Sequence, residues 1–160
     1  FMLFALYAGN DLAKEGILLY AAAYSLATIG VFAVLIKMKD YTLDGFNGLA
    51  KTQPVLALAT TICLLSLSGI PLTAGFFAKY YMLAAVVKAG GALWIVIVAV
   101  LFAAVSVYYY FRVIQAMYFK EGTAETSEIT GGFKVGLLLV AGLIVLIGLL
   151  PSVLLNYFYF

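Results

Sequence analysis

The sequence predicts an all-α bundle of transmembrane helices in which one span is broken. Three observations carry the prediction. First, 66% of the 160 residues are hydrophobic and only 10% are charged, with a mean hydropathy of +1.15, whereas soluble domains carry about a quarter charged residues. Second, several uncharged stretches reach the length that a bilayer core of about 30 Å demands. Third, one apolar stretch, too long for a single crossing, is interrupted by glycine and proline and carries a lone lysine within it. So little polar surface excludes a soluble enzyme and a disordered chain. A net charge of +2 is too small for a binder of nucleic-acid backbones. Without any histidine there is no imidazole base, and a single cysteine, Cys63, builds neither a disulfide nor a thiolate metal site. No cofactor or metal motif is present.

The opening run from Phe1 to Ala8 is apolar and lacks a basic stretch before it, so it is expected to be the tail of a helix that starts earlier, not a signal peptide. Four full spans are expected after it. The first covers 17–36, bounded by Asp11, Lys14 and Glu15 before and by Lys37, Lys39 and Asp40 after. Residues 41–50 are too short and polar to span. Leu43, Phe46 and Leu49 recur there at helical spacing and predict a short amphipathic piece on the membrane surface.

The second span, 54–88, is too long for one straight crossing, since its helix would run roughly 50 Å. The breaker is Ser68-Gly69-Ile70-Pro71-Leu72-Thr73-Ala74-Gly75. Pro71 lacks an amide donor and would clash with the carbonyl of Leu67, while Gly69 and Gly75 weaken the helix on either side. Half-helices at about 54–68 and 73–88 follow. Irregular backbone at membrane depth survives only inside protein or beside a water-filled cavity, which marks the break as a transport element.

The third span is 92–119, with Trp94 near one end and Tyr108, Tyr109, Tyr110 and Tyr118 near the other, as an interfacial belt predicts. Arg112 is read as an interfacial anchor. Lys120 to Lys134 is an aqueous loop holding Glu121, Glu125 and Glu128, and the last span is 135–150, followed by Pro151 and an aromatic end at 157–160. Lys37, Lys39, Lys51, Lys120 and Lys134 lie on one side, against Lys14 and Lys88 on the other. The positive-inside rule then puts loops 37–53 and 120–134 in the cytoplasm.

Lys79 is the candidate site residue. It precedes Lys88 by nine positions, about 13 Å along a helix, too far for its stem to reach the interface easily. Ionisable groups at that depth mark ion or proton pathways. The plainer reading is a lysine that reaches headgroups through helix tilt or sits in a fixed ion pair. Thr60, Ser66, Ser68 and Thr73 are candidates for lining a water file, although such hydroxyls more often satisfy their own backbone. Cys63 reads as a small buried apolar residue.

The run from Leu65 to Lys79, with its S-G-I-P-x-T-A-G-F-x-x-K core, resembles the antiporter-like membrane subunits of respiratory complex I, and among them the subunit N type of NADH–quinone oxidoreductase. Tyr24 to Val34, Gly48 through Pro54, and Tyr108 to Arg112 resemble the flanking parts, so the likeness covers essentially the whole chain. The subunit M type carries Glu where Lys79 stands. The subunit L type and sodium/proton antiporter subunits carry an acid where Tyr80 stands. The resemblance implies the C-terminal part of a fourteen-helix subunit built from two inverted five-helix repeats, with 54–88 the broken helix of the second. It implies that Lys79 carries protons towards the outer side, and that the rest of the subunit and other complex I membrane subunits are partners. NADH, flavin, iron–sulfur clusters and quinone are then expected in other subunits, and the location is a bacterial inner membrane. A cation/proton antiporter subunit, a related membrane hydrogenase subunit and a non-pumping scaffold are the alternatives.

Overall fold

The computed structural model describes residues 1–91 and 93–158, with backbone alone at 153, 157 and 158. Ala92, the expected start of the third span, and the side chains of the aromatic end lie outside the described residues. Eight α-helices follow in order: α1 Met2–Ala8, α2 Asp11–Lys37, α3 Leu49–Thr52, α4 Pro54–Ser68, α5 Ala74–Lys88, α6 Leu93–Phe119, α7 Gly131–Leu149 and α8 Pro151–Phe158, with a 3-10 turn at Asp44–Phe46 before α3. α2, α6 and α7 are each long and apolar enough to cross a membrane. α4 and α5, 15 residues each, are the two half-helices on either side of the break.

The two halves lie end to end along α2. Gly16, early in α2, faces Met82 of α5, where a Cβ would come within 3.0 Å of the Met82 side chain. Gly30, late in α2, faces Cys63 of α4, so closely that a Cβ would overlap the sulfur. The pairing runs antiparallel, and small residues permit both close approaches. Cys63 is buried and reads as packing. Three apolar clusters stack along this axis. One near the loops contains Val34, Leu56 and Met117, a central one contains Leu19, Ala78 and Ile144, and one at the far end contains Ala13, Met82 and Ala85.

Local chemistry moved several boundaries away from the apolar stretches. α2 begins at Asp11, ahead of its uncharged run, because the Asn10 side chain accepts from the Ala13 amide at 3.0 Å and caps it. α7 begins at Gly131 despite two glycines, because Thr130 accepts from the Phe133 amide. Pro151 opens α8, an element the sequence reading lacked. Proline tolerates the first helical turn, where its missing amide has no partner to lose.

Residues 41–50 are not one amphipathic helix. Gly48, at φ +72°, separates the 3-10 turn from α3, and Phe46 and Leu49 point into the loop-side cluster. The same glycine donates to the Ala116 carbonyl at 3.2 Å. The loop at 120–134 pairs with the end of α2: the Lys39 amide donates to the Glu125 carbonyl at 3.1 Å and the Ser127 amide to the Lys37 carbonyl at 2.7 Å. Ion pairs Lys39–Glu125 and Lys120–Asp44 add to this face. All of them are exposed, so each contributes at most about 1 kcal/mol. A Cβ at Gly48 would overlap the Gly122 carbonyl. Gly48→Ala is therefore expected to pull the two loops apart. Protease cleavage within 120–134 of the solubilised protein should speed up several-fold, and an unchanged rate would contradict this packing.

Candidate functional site

The site is built by the way α4 stops. An α-helix leaves its last four carbonyls without amide partners. Gly69, at φ +82°, turns the chain so that its amide donates to Leu65 and Ser66 and the Ile70 amide donates to Leu65 at 3.0 Å. This glycine-capped ending serves two of the four carbonyls. The remaining two, of Leu67 and Ser68, accept from Lys79 Nζ at 2.7 and 2.8 Å. The lysine of one half-helix thus completes the end of the other. It also lies in the field of the negative end of the α4 dipole, which favours a cation. Among the described residues no carboxylate pairs with Lys79.

This changes the account of the break. Helix α4 ends through Gly69, and Pro71 lies beyond the cap in an exposed linker, where it prevents the helix from resuming. Leu72 takes a φ of +75°, a left-handed conformation unfavourable for a branched side chain. Gly75 is not part of the break. It is the second residue of α5, and it lies so close to the Ser66 carbonyl that a Cβ would overlap it. α7 supports the linker from the other side, since a Cβ on Gly148 would overlap the Thr73 backbone.

The hydroxyls have separate duties. Ser66 accepts from the Gly75 amide at 3.2 Å, so a side chain of α4 caps the start of α5. Ser68 donates to the Leu64 carbonyl at 2.8 Å and Thr73 to the Ile70 carbonyl at 2.7 Å. Thr60 is buried, and its hydroxyl has no partner among the described residues. Ser66→Ala should leave the Gly75 amide without its acceptor and lower stability by about 1 kcal/mol, as loss of a cap usually does. A lowered thermal midpoint of the purified protein would register it, and an unaltered midpoint would refute the capping role.

Lys79 is half-buried and opens onto a cavity of about 180 Å³ between α2, α4, α5 and α6. Of the expected water-lining hydroxyls only Ser66 reaches it. Tyr20, Tyr24, Ser106 and Tyr110 also line it, and the Ser106 hydroxyl donates to the Phe102 carbonyl at 3.2 Å. Several molecules of water fit such a volume. The sequence reading had Tyr110 in an interfacial belt, but it faces inward and packs against the loop-side cluster. A signal for the remaining pair existed. Tyr20 and Tyr24 stand one helical turn apart within a span, and their rings stack at 5.6 Å. Arg112, Tyr108 and Phe111 lie along a separate surface groove of α6.

The pattern of the transmembrane family described as NADH:quinone oxidoreductase/Mrp antiporter matches residues 1–106. The chain belongs to that family. Subunit N of NADH-quinone oxidoreductase from Cytophaga hutchinsonii is 40% identical over 149 residues, which is 90% of this chain and 32% of that relative. Subunit N from Trichlorobacter lovleyi is 38% identical over 156 residues, 93% of this chain and 32% of the relative. A chain in the structure of respiratory complex I from Thermus thermophilus with bound aureothin matches with a TM-score of 0.86 and 32% identity, over 97% of this chain and 36% of the other. A chain of the membrane-bound sulfane sulfur reductase, an archaeal respiratory membrane complex, matches with a TM-score of 0.72 and 28% identity, over 91% and 30%. The chain therefore spans about a third of the length of these relatives. Within the NADH:quinone oxidoreductase/Mrp antiporter family, the matched region reaches from α1 to Ser106 of α6 and so contains Lys79, the break and nearly all of the cavity lining.

Proposed function

We propose that this chain is part of a proton-translocating membrane subunit of NADH–quinone oxidoreductase, located in a bacterial inner membrane with loops 37–53 and 120–134 on the cytoplasmic side. Oxidation of NADH and reduction of quinone, with flavin and iron–sulfur clusters, belong to other subunits. The observation that carries this reading is the Lys79 ammonium, which rests on the two carbonyls that the helix break frees and faces a cavity bearing hydroxyls. An amine so placed has a proton to give and a cavity bordered by hydroxyl-bearing residues to exchange it with. Tyr20, Tyr24, Ser66, Ser106 and Tyr110 orient water towards it, and the fixed carbonyls hold the ammonium with no carboxylate beside it among the described residues. Lys79 accepts a proton from the cavity and releases it towards the outer end of α5 when the surrounding charge changes.

The test uses the complete subunit in its assembled complex. Complexes with Lys79→Met in proteoliposomes should oxidise NADH with little or no acidification of the lumen. Normal acidification by that variant would remove Lys79 from the pathway. The family description also names Mrp antiporters, which favours a second reading as a cation/proton antiporter subunit. A strict sodium requirement for proton movement would select it.

A further inference from the structure

We infer that the end of α4 is a seat for one monovalent cation of ammonium size, and that Lys79 fills it from within the chain so that no metal ion takes its place. The inference rests on Lys79 being the proton carrier and adds what the same site excludes. The seat consists of the two carbonyls that the glycine cap leaves unserved, those of Leu67 and Ser68. Both oxygens aim at one point, since a single nitrogen meets them at 2.7 and 2.8 Å. They lie at the C-terminal end of α4, where the aligned peptide dipoles amount to roughly half a negative charge. Freed carbonyls at the end of a half-helix are the groups with which broken membrane helices hold cations. Carbonyl oxygens also replace the water around potassium, an ion close to ammonium in size. The point occupied by Nζ therefore suits a free potassium or ammonium ion as it suits the amine.

Tethering decides which cation is there. Lys79 stands on α5, and its stem crosses to α4 past Gly69, where a Cβ would come within 2.8 Å of the stem and 3.2 Å of Nζ. The bare glycine thus both ends α4 and leaves the corridor through which the amine arrives. An ammonium carries three N–H bonds, and two of them serve the carbonyls. The third is the one free to leave as a proton. The neutral amine that remains keeps two N–H bonds, enough for both carbonyls. The seat therefore stays filled in both protonation states, and a metal ion finds it closed throughout. A proton can leave the tethered nitrogen, whereas the nitrogen itself cannot leave. No carboxylate pairs with Lys79 among the described residues, so nothing beside the seat draws a second cation in. Lys79 is thus the residue that sets proton over metal-cation specificity at the break.

The experiment compares the unaltered protein, Lys79→Ala and Lys79→Arg, each as the complete subunit in the assembled complex, purified in detergent. Alanine vacates the seat, and arginine keeps a tethered cation in it. The temperature at which the subunit leaves the complex is read on native gels, in chloride salts of choline, potassium or ammonium at equal strength. Choline is too large for the seat and offers it no N–H. A ligand that binds only the folded state raises its midpoint. Lys79→Ala should therefore gain about 3 °C in potassium or ammonium over choline. The unaltered and Lys79→Arg complexes should shift by less than about 1 °C. An assembled Lys79→Ala complex that is indifferent to the cation would overturn the seat. A shift as large in the unaltered or Lys79→Arg complex would overturn its closure by a tethered cation. Should Lys79→Ala fail to assemble, the unaltered complex decides. Its NADH-driven acidification in proteoliposomes should agree within twofold in potassium, sodium and choline salts, and a requirement for either metal ion would refute the exclusion. Acidification by Lys79→Met separates the two failures: it stays blocked if the seat alone fails and is normal if the carrier reading fails.

Discussion

Gly75→Val is expected to prevent the two half-helices from closing on each other. Already the first added carbon would overlap the Ser66 carbonyl, and that oxygen is backbone, held by the Gly69 amide in the cap that ends α4. Neither partner can step aside without undoing the cap. The Gly75 amide would also leave the Ser66 hydroxyl at 3.2 Å. Overpacking of this kind costs about 3 kcal/mol, and an unsatisfied buried amide adds about 1–3 kcal/mol more. Loss of a few kcal/mol is a large share of the stability of an ordinary domain. The complete subunit carrying Gly75→Val should be found mostly unassembled, with the complex depleted at least tenfold on native gels. An assembled complex at normal yield would mean that α5 approaches α4 less closely than the structure shows. Gly69→Ala, which forces a methyl towards the Lys79 stem at 2.8 Å in a left-handed conformation, is a milder version of the same test.

Lys79 has two duties that a pair of substitutions separates. It donates to the carbonyls of Leu67 and Ser68, and in the proposed function it moves a proton. Lys79→Met deletes both. Each orphaned carbonyl costs about 1–3 kcal/mol, so reduced assembly should accompany lost pumping. Lys79→Arg retains a cation with donors on a stem of similar length, but arginine does not release its proton in proteins. The arginine variant should therefore assemble better than the methionine variant and pump no more than it does, at least tenfold below the unaltered complex. Equal assembly of the two variants would show that the carbonyls do not depend on the amine. Pumping by the arginine variant would show that release of a proton from this position is not required.

Which parts of this site were readable beforehand follows from the range of the forces involved. Lys79 and Gly69 were legible because a charge and a helix stop in an apolar run are local violations of what a membrane demands. Gly75 was read as a weak helix former, because the Ser66 carbonyl it accommodates lies nine residues away and becomes a neighbour only after the chain has turned. Thr60, Ser66, Ser68 and Thr73 looked alike as hydroxyls in a helix. They differ in the structure because each meets a different partner: the Gly75 amide for Ser66, local carbonyls for Ser68 and Thr73, and none among the described residues for Thr60. Tyr110 looked interfacial beside Tyr108 and Tyr109, since the facing of one residue in a uniformly apolar helix has no periodic signal to reveal it.

The all-α membrane class, the near positions of the helices and the broken crossing followed from composition, apolar run length and glycine–proline placement. These are properties of short windows, and the bilayer reads them one window at a time. The joining of Lys79 to the carbonyls of α4 and the gathering of Tyr20, Tyr24, Ser106 and Tyr110 around it came from packing. They bring together α2, α4, α5 and α6, and each contact depends on the rotation of two helices about their own axes. Apolar side chains all around a helix leave that rotation unspecified in the sequence, and only the small residues at Gly16, Gly30, Gly75 and Gly148, once paired with their neighbours, lock it in place.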